Sequence, residues 1–317
     1  MLNNKPSQGE SRRKNVLKTA LIIVITFIIF YIIFSKIDFF SVIDILYHAN
    51  LRYLAIAFMG TVLIPLIQAK RWKIILKAMG YNIRYLECFC MVMGTHPLAS
   101  VTPSKAGDLA KAYYISDKIP ISKTVGSVLT EKALDVFTLL LLCLIGLAFY
   151  PRLWVLIIAV IIIIGIIVFF RLSHSNVNLP IKKSWNDKLH NMLLSTRALI
   201  KDKKMFLVVV IATFTLWFIA IIQTVVFFFA LGIDVPLLFT MANIPIAIFI
   251  GIIPVTLGGM GTRDVAIISL FCNYGNSSEL LSVGILFSLF RYWLLSLMGI
   301  PFMQKLLKLQ WKREIII

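Results

Sequence analysis

Carboxylates are scarce in this sequence. Only 14 Asp and Glu stand against 32 Lys and Arg in 317 residues, and charged residues of every kind make up 15%. A soluble domain carries about a quarter charged residues. With 60% hydrophobic residues and a mean hydropathy of +0.91, this shortage excludes a soluble globular protein and defines an all-α polytopic membrane protein. Cysteine is scarcer still: Cys88, Cys90, Cys143 and Cys272 lie within or at the end of apolar runs. Neither a disulfide framework nor a zinc spacing follows, and burial as small apolar side chains accounts for them.

Other absences narrow the function. The four histidines, His48, His96, His174 and His190, show no metal-ligand spacing. There is no Gly-x-x-x-x-Gly-Lys-Ser/Thr phosphate loop and no Gly-x-Ser-x-Gly elbow. An ATP-driven pump within this chain is therefore not expected, and no cofactor is implied. The longest polar stretch, 171–204, is too short for a catalytic domain of ordinary size. No cleavable signal peptide is expected, because the first apolar run is long and lacks a small-residue cleavage site. The net charge of +18 is spread over short polar segments between apolar runs, which argues for anionic lipid and retained loops rather than nucleic acid.

A membrane-spanning helix needs roughly 20 mostly apolar residues. Six stretches qualify: about 17–35, 51–69, 123–149, 153–171, 206–231 and 280–303. The basic segments are 1–16, the loop 69–85 with Lys70, Arg71, Lys73, Lys77 and Arg84, the loop 171–204, and the tail 304–317. By the excess of Lys and Arg these belong on the cytoplasmic side, with both termini, in a multi-pass protein of the cell membrane. Segments 36–50, 150–152, 232–236 and 273–279 are nearly free of positive charge and belong outside. Between Ser184 and Leu199 apolar residues recur at helical spacing among Lys and Arg, as in an interfacial amphipathic helix or a solvated loop.

Two further apolar segments are broken by Pro/Gly turns that carry charge. One passes through Thr102-Pro103-Ser104-Lys105-Ala106-Gly107-Asp108, the other through Pro254-Val255-Thr256-Leu257-Gly258-Gly259-Met260-Gly261-Thr262-Arg263-Asp264. Backbone that leaves the helix at membrane depth survives only where protein or a water-filled cavity covers it. Broken segments at matching places in two halves point to a transport-type binding site near the midplane. The loop charges balance only if neither segment crosses. Residues 86–118 and 237–272 are thus expected to be re-entrant hairpins of opposite polarity, as in an inverted repeat, within a single transmembrane domain over 17–303.

An ionised side chain at the centre of a membrane helix costs on the order of 2.5–3.5 kcal/mol, so each one present requires a reason. Glu131 and Asp135, flanking Lys132, share one helix face at i,i+4 spacing, either as an internal ion pair or as a cavity-facing cation site. Arg291 lies deep in the last apolar run, and its expected partner is Asp264, Glu131 or Asp135. Gly258, Gly259 and Gly261 precede a helix start whose free amides suit an anion. Thr102, Ser104 and Lys105 offer hydroxyl caps and a cation at a second helix start.

At these residues the chain resembles the flippase-like family of the lysylphosphatidylglycerol synthase transmembrane region, from about residue 15 to 305. The marks are Arg71-Trp72 with Gly80, Pro103-x-x-x-Gly107-Asp108 followed by Lys111, Glu131-Lys132-x-x-Asp135, the Pro254 to Asp264 turn, and Arg291. The family more usually has glutamate at the positions of Asp108 and Asp264. The resemblance implies lipid movement between leaflets. The aminoacyl-transfer activity of the synthases is not expected, since the sequence given reaches only Ile317 and holds no such domain. The expected substrate site comprises Lys105, Asp108, Lys111, Glu131, Asp135, Gly258, Gly259, Gly261, Arg263, Asp264 and Arg291. Three readings stay open: a translocator of an anionic phospholipid or lipid-linked saccharide, a non-transporting accessory subunit of a lipid-modifying enzyme or glycosyltransferase, and a membrane enzyme using Glu131, Asp135 and Asp108 on a lipid phosphate.

Overall fold

The computed structural model describes residues 39–102, 105–150, 160, 194–253, 256 and 258–316, with side chains as far as Lys308. The described residues are helical, without strands. The elements are α1 (Phe39–Tyr47), α2 (Leu51–Ala78), α3 (Tyr85–Ser100), a 3-10 turn (Ala106–Leu109), α4 (Ala110–Tyr114), α5 (Ile121–Phe149), α6 (Lys203–Ala230), α7 (Leu237–Ile252), α8 (Thr262–Phe271), α9 (Ser277–Ser288) and α10 (Leu294–Ile316). A π-helical turn, Leu289–Trp293, joins α9 to α10 as one rod. Two of the expected spans, 17–35 and 153–171, lie outside the described residues apart from Val160.

Helix starts follow capping chemistry. Asn50 accepts the Arg52 amide and Asp202 those of Lys204 and Met205, while Asn276 and Glu279 exchange side-chain and backbone bonds in a capping box. Among the described residues three helices, Leu51–Ala78, Lys203–Ala230 and Ser277–Lys308, are long and apolar enough to cross a membrane. In α2 and α6 only 22% and 28% of the apolar window is buried inside the protein. Ile56, Met59, Leu63, Leu207, Ile211 and Phe218 instead face outward, an apolar surface of the kind lipid covers. The largest core cluster joins Leu139 and Cys143 of α5, Phe227 of α6, Ala247 of α7, Phe271 of α8 and Phe287 of α9.

Two expectations change, for 69–85 and for 184–199, and one segment gains a helix. The loop 69–85 is helical as far as Ala78, and Arg71 and Trp72 within it are buried. Carboxylates on α5 give that arginine a reason to be inside. The region 36–50 holds α1, whose Val42 packs on Leu281. Residues 194–200 form helix, with Leu199 buried beside Ile75, Leu134 and Val209, so this part of the Ser184–Leu199 stretch is not a solvated loop.

The elements recur at an interval of 152 residues. From Leu51 to Lys203 both helices have 28 residues, and from Tyr85 to Leu237 both have 16. Gly80 and Gly232, at equivalent places in the connecting turns, have φ of +90° and +71°. The packing is reciprocal: α2 lies on α6, while α3 of the first set packs on α10 of the second and α7 of the second on α5 of the first. Side chains repeat the pattern. Arg71 donates to Thr213 at 3.2 Å and Gln223 to Thr61 at 3.1 Å, and each of these pairs of positions is again 152 residues apart. Residue i touching j while the equivalent of j touches the equivalent of i is the mark of a two-fold relation.

Close packing at the first interruption carries a prediction. A Cβ added to Gly107 would overlap the backbone of Leu98 and Ala99, and overpacking of this kind costs roughly 1–3 kcal/mol. Gly107→Ala should lower the detergent melting temperature of the purified protein; an unchanged value would mean that the turn sits more loosely on α3.

Candidate functional site

Both interruptions open onto one internal cavity of about 350 Å³. The turn after α3 presents Lys105 and Asp108, α4 presents Lys111, and α5 presents Glu131, Lys132 and Asp135. Arg71 arrives from α2, Gly258 and Arg263 from the turn before α8 and its first residues, and Arg291 from the π-helical turn. The wall thus holds six cations and three carboxylates, with Asp264 directly behind Arg263.

Most of these charges are paired. Arg71 donates Nη1 to Asp135 Oδ1 at 2.6 Å and lies 3.4 Å from Glu131 Oε1; Lys111 Nζ meets Glu131 Oε2 at 2.9 Å. Lys132 bonds Asp108. Three cations and three carboxylates therefore neutralise one another on this side, with Arg71 and Glu131 only 3% and 2% exposed. Buried charges survive in this way, paired and hydrogen-bonded. The i,i+4 spacing of Glu131 and Asp135 does bring both carboxylates to one arginine.

The other side differs. Arg263, 2% exposed, donates Nε and Nη2 to Asp264 Oδ1 at 3.1 and 2.6 Å, and Nη2 also reaches Gly284 O and Ser288 Oγ. Its Nη1 has no partner among the described residues. Asp264 Oδ2 accepts the Gly261 amide at 2.8 Å, so the expected free-amide cradle at that position is already filled by the protein's own carboxylate. Gly258 lines the cavity; Gly259, at φ +75°, packs against the Gly251 backbone, where a Cβ would not fit.

Arg291 does not pair with Asp264, Glu131 or Asp135. Asp264 is held by Arg263 and the other two by Arg71 and Lys111. Arg291 Nη1 instead donates to Gln223 Oε1 at 3.2 Å, and its guanidinium lies 5.5 and 5.8 Å from the rings of Phe287 and Trp217. Lys105 has no carboxylate within ion-pair range among the described residues; its ammonium sits 4.4 Å above the Tyr292 ring. Its backbone is left-handed, with φ of +55°. A non-glycine residue there costs of order 1–3 kcal/mol, which glycine would avoid, so the ammonium is what lysine adds.

Sequence reasoning missed several contributors. Arg71 and Lys132 were expected only as a motif mark and a flanking residue, and Gln223, Trp217 and Tyr292 carried no signal in their own neighbourhoods. The π turn around Arg291 was likewise invisible, although such turns are frequent at functional sites. It leaves the Phe290 carbonyl accepting from Thr61 at 3.1 Å.

Fold and cavity together define a helical multi-pass membrane protein built around an internal cavity whose wall combines apolar and charged side chains. The chain belongs to the family of the lysylphosphatidylglycerol synthase TM region, whose family model matches residues 15–299. Its relatives include UPF0104 membrane proteins of Methanothermobacter thermautotrophicus, 24% identical with 81% of this chain and 86% of that one covered, and of Pyrococcus horikoshii, 26% identical with 81% and 88% covered. A UPF0104 membrane protein of Methanocaldococcus jannaschii is 29% identical over a shorter match, 38% of this chain and 37% of that one.

Proposed function

We propose that the chain is a lipid translocator of the cell membrane that passes an anionic headgroup through the central cavity while the acyl tails stay in lipid. The observation that carries this reading is a buried chamber with six cations and three carboxylates on its wall, formed where two helices break. Retaining this much charge among apolar helices has no use in packing alone. The reading takes 86–118 and 237–272 as re-entrant hairpins of opposite polarity among six spans, with both termini in the cytoplasm. The reciprocal packing of the two sets of helices supports this arrangement, because inverted repeats meet at midplane sites. Membrane lipid is the partner, and the chain itself carries out no chemical step.

The test is the purified protein in liposomes containing a fluorescent anionic phospholipid. Accelerated exchange of unchanged lipid between leaflets is the expected result. A chemically altered lipid would replace translocation with an enzymatic role, and neither exchange nor alteration would favour an accessory subunit for a lipid-modifying enzyme or glycosyltransferase.

A further inference from the structure

The cavity is not merely positive; its surplus has a definite size and place. Arg71, Lys111 and Lys132 are balanced by Asp108, Glu131 and Asp135, and Arg263 by Asp264. Among the described residues two positive charges remain, on Lys105 and Arg291. Both are tied to one group of rings: Lys105 lies over Tyr292, Arg291 and Arg263 flank Phe287, and Tyr292 and Phe287 are 6.5 Å apart between centroids. Among the described residues the same wall holds three unfilled donors: Arg71 Nε, which lies 3.4 Å from Glu131 Oε1, Arg263 Nη1 and Trp217 Nε1.

The internal duplication sets this surplus apart from the pairing that the first half uses. The α2–α5 contact of the first set joins Arg71 to Asp135, while the matching α6 position, Gln223, meets Arg291. Where one half places an arginine against a carboxylate, the other places a neutral amide against an arginine. At the 152-residue interval Asp135 stands opposite Phe287 and Arg291 opposite Leu139, so the second half lacks the carboxylate and carries a cation where the first has an apolar residue. Lys105 likewise keeps an unfavourable backbone conformation that glycine would relieve.

Resting on the anionic-lipid reading, we infer that the site is matched to a phosphate monoester in its dianionic form, not to the singly charged phosphodiester of most phospholipid headgroups. A monoester phosphate carries close to two negative charges at neutral pH and presents three acceptor oxygens. Those charges neutralise Lys105 and Arg291, and the oxygens fill the open Arg263 and Trp217 donors. A phosphodiester leaves one buried cation uncompensated.

Native mass spectrometry of the full-length, detergent-purified protein tests this with two lipids of identical acyl chains, phosphatidate and phosphatidylmethanol, which differ by one methyl and one charge. Phosphatidate should bind at least about tenfold more tightly. Lys105→Gly, which relieves backbone strain, should keep the melting temperature and bring the two lipids to within about threefold; Arg291→Gln should do the same to the preference. Equal binding of both lipids by the unmodified protein overturns the dianion inference and leaves the anionic-lipid reading standing. Binding of neither overturns both. Inorganic phosphate that displaces phosphatidate at equal concentration supports the phosphate monoester chemistry but assigns it to a soluble ligand, which overturns the lipid source.

Discussion

Arg291→Ala should reduce anionic-lipid exchange in liposomes to the protein-free rate, a loss of at least about a hundredfold if the guanidinium holds the headgroup phosphate. Its environment makes this a clean test. Arg291 has no carboxylate partner among the described residues, so its removal strands no buried negative charge; only the Gln223 carbonyl loses a donor. That costs roughly 1–3 kcal/mol, which a protein of ordinary stability survives, and folding can be followed separately by thermal melting. Arg291→Lys should recover exchange only in part, because an ammonium cannot reproduce the planar two-pronged contact of a guanidinium with phosphate. Unimpaired exchange by Arg291→Ala would remove this residue from the path.

Arg71→Ala should act on stability instead. Its guanidinium is shared by Asp135 and Glu131, and of these only Glu131 has a second cation, Lys111. Removing one partner from a buried ion pair costs roughly 3–5 kcal/mol, because the other charge is left uncompensated. The purified variant should melt well below the unmodified protein or fail to accumulate. Arg71→Gln combined with Asp135→Asn should regain much of the loss, since the stranded carboxylate goes with the arginine. If the double variant melts no higher than Arg71→Gln alone, the stranded charge is not what destabilises the single variant.

These two arginines show what sequence could and could not reveal. The membrane class followed from composition, and the two interruptions were legible because Pro and Gly among charges have few other uses in apolar sequence. Glu131 and Asp135 were legible as a pair through helical spacing alone. Arg71 was misplaced because a helix extending past its apolar stretch reads as a basic loop; its burial depends on α5, a partner 64 residues away. The partner of Arg291 was misjudged because nearest-charge reasoning cannot foresee that Asp264 folds back to cap Gly261 and bind Arg263. The 152-residue interval was written in Gly80 and Gly232, Gly107 and Gly259, and Thr61 and Thr213. Comparison of the sequence with itself at that offset would have set Arg71 opposite Gln223 and so marked both. The π turn left no local trace, since it depends on how the α9–α10 rod fits its neighbours.

The central claim is that the chamber between the two interruptions holds a lipid phosphate. A single-particle density map of the protein in nanodiscs containing anionic lipid tests it most directly. Headgroup density is expected inside the cavity, within hydrogen-bonding reach of Lys105 and Arg291, with its tails leaving between helices toward the bilayer. A chamber filled only by water, with lipid phosphates confined to the outer surfaces of the protein, would contradict it.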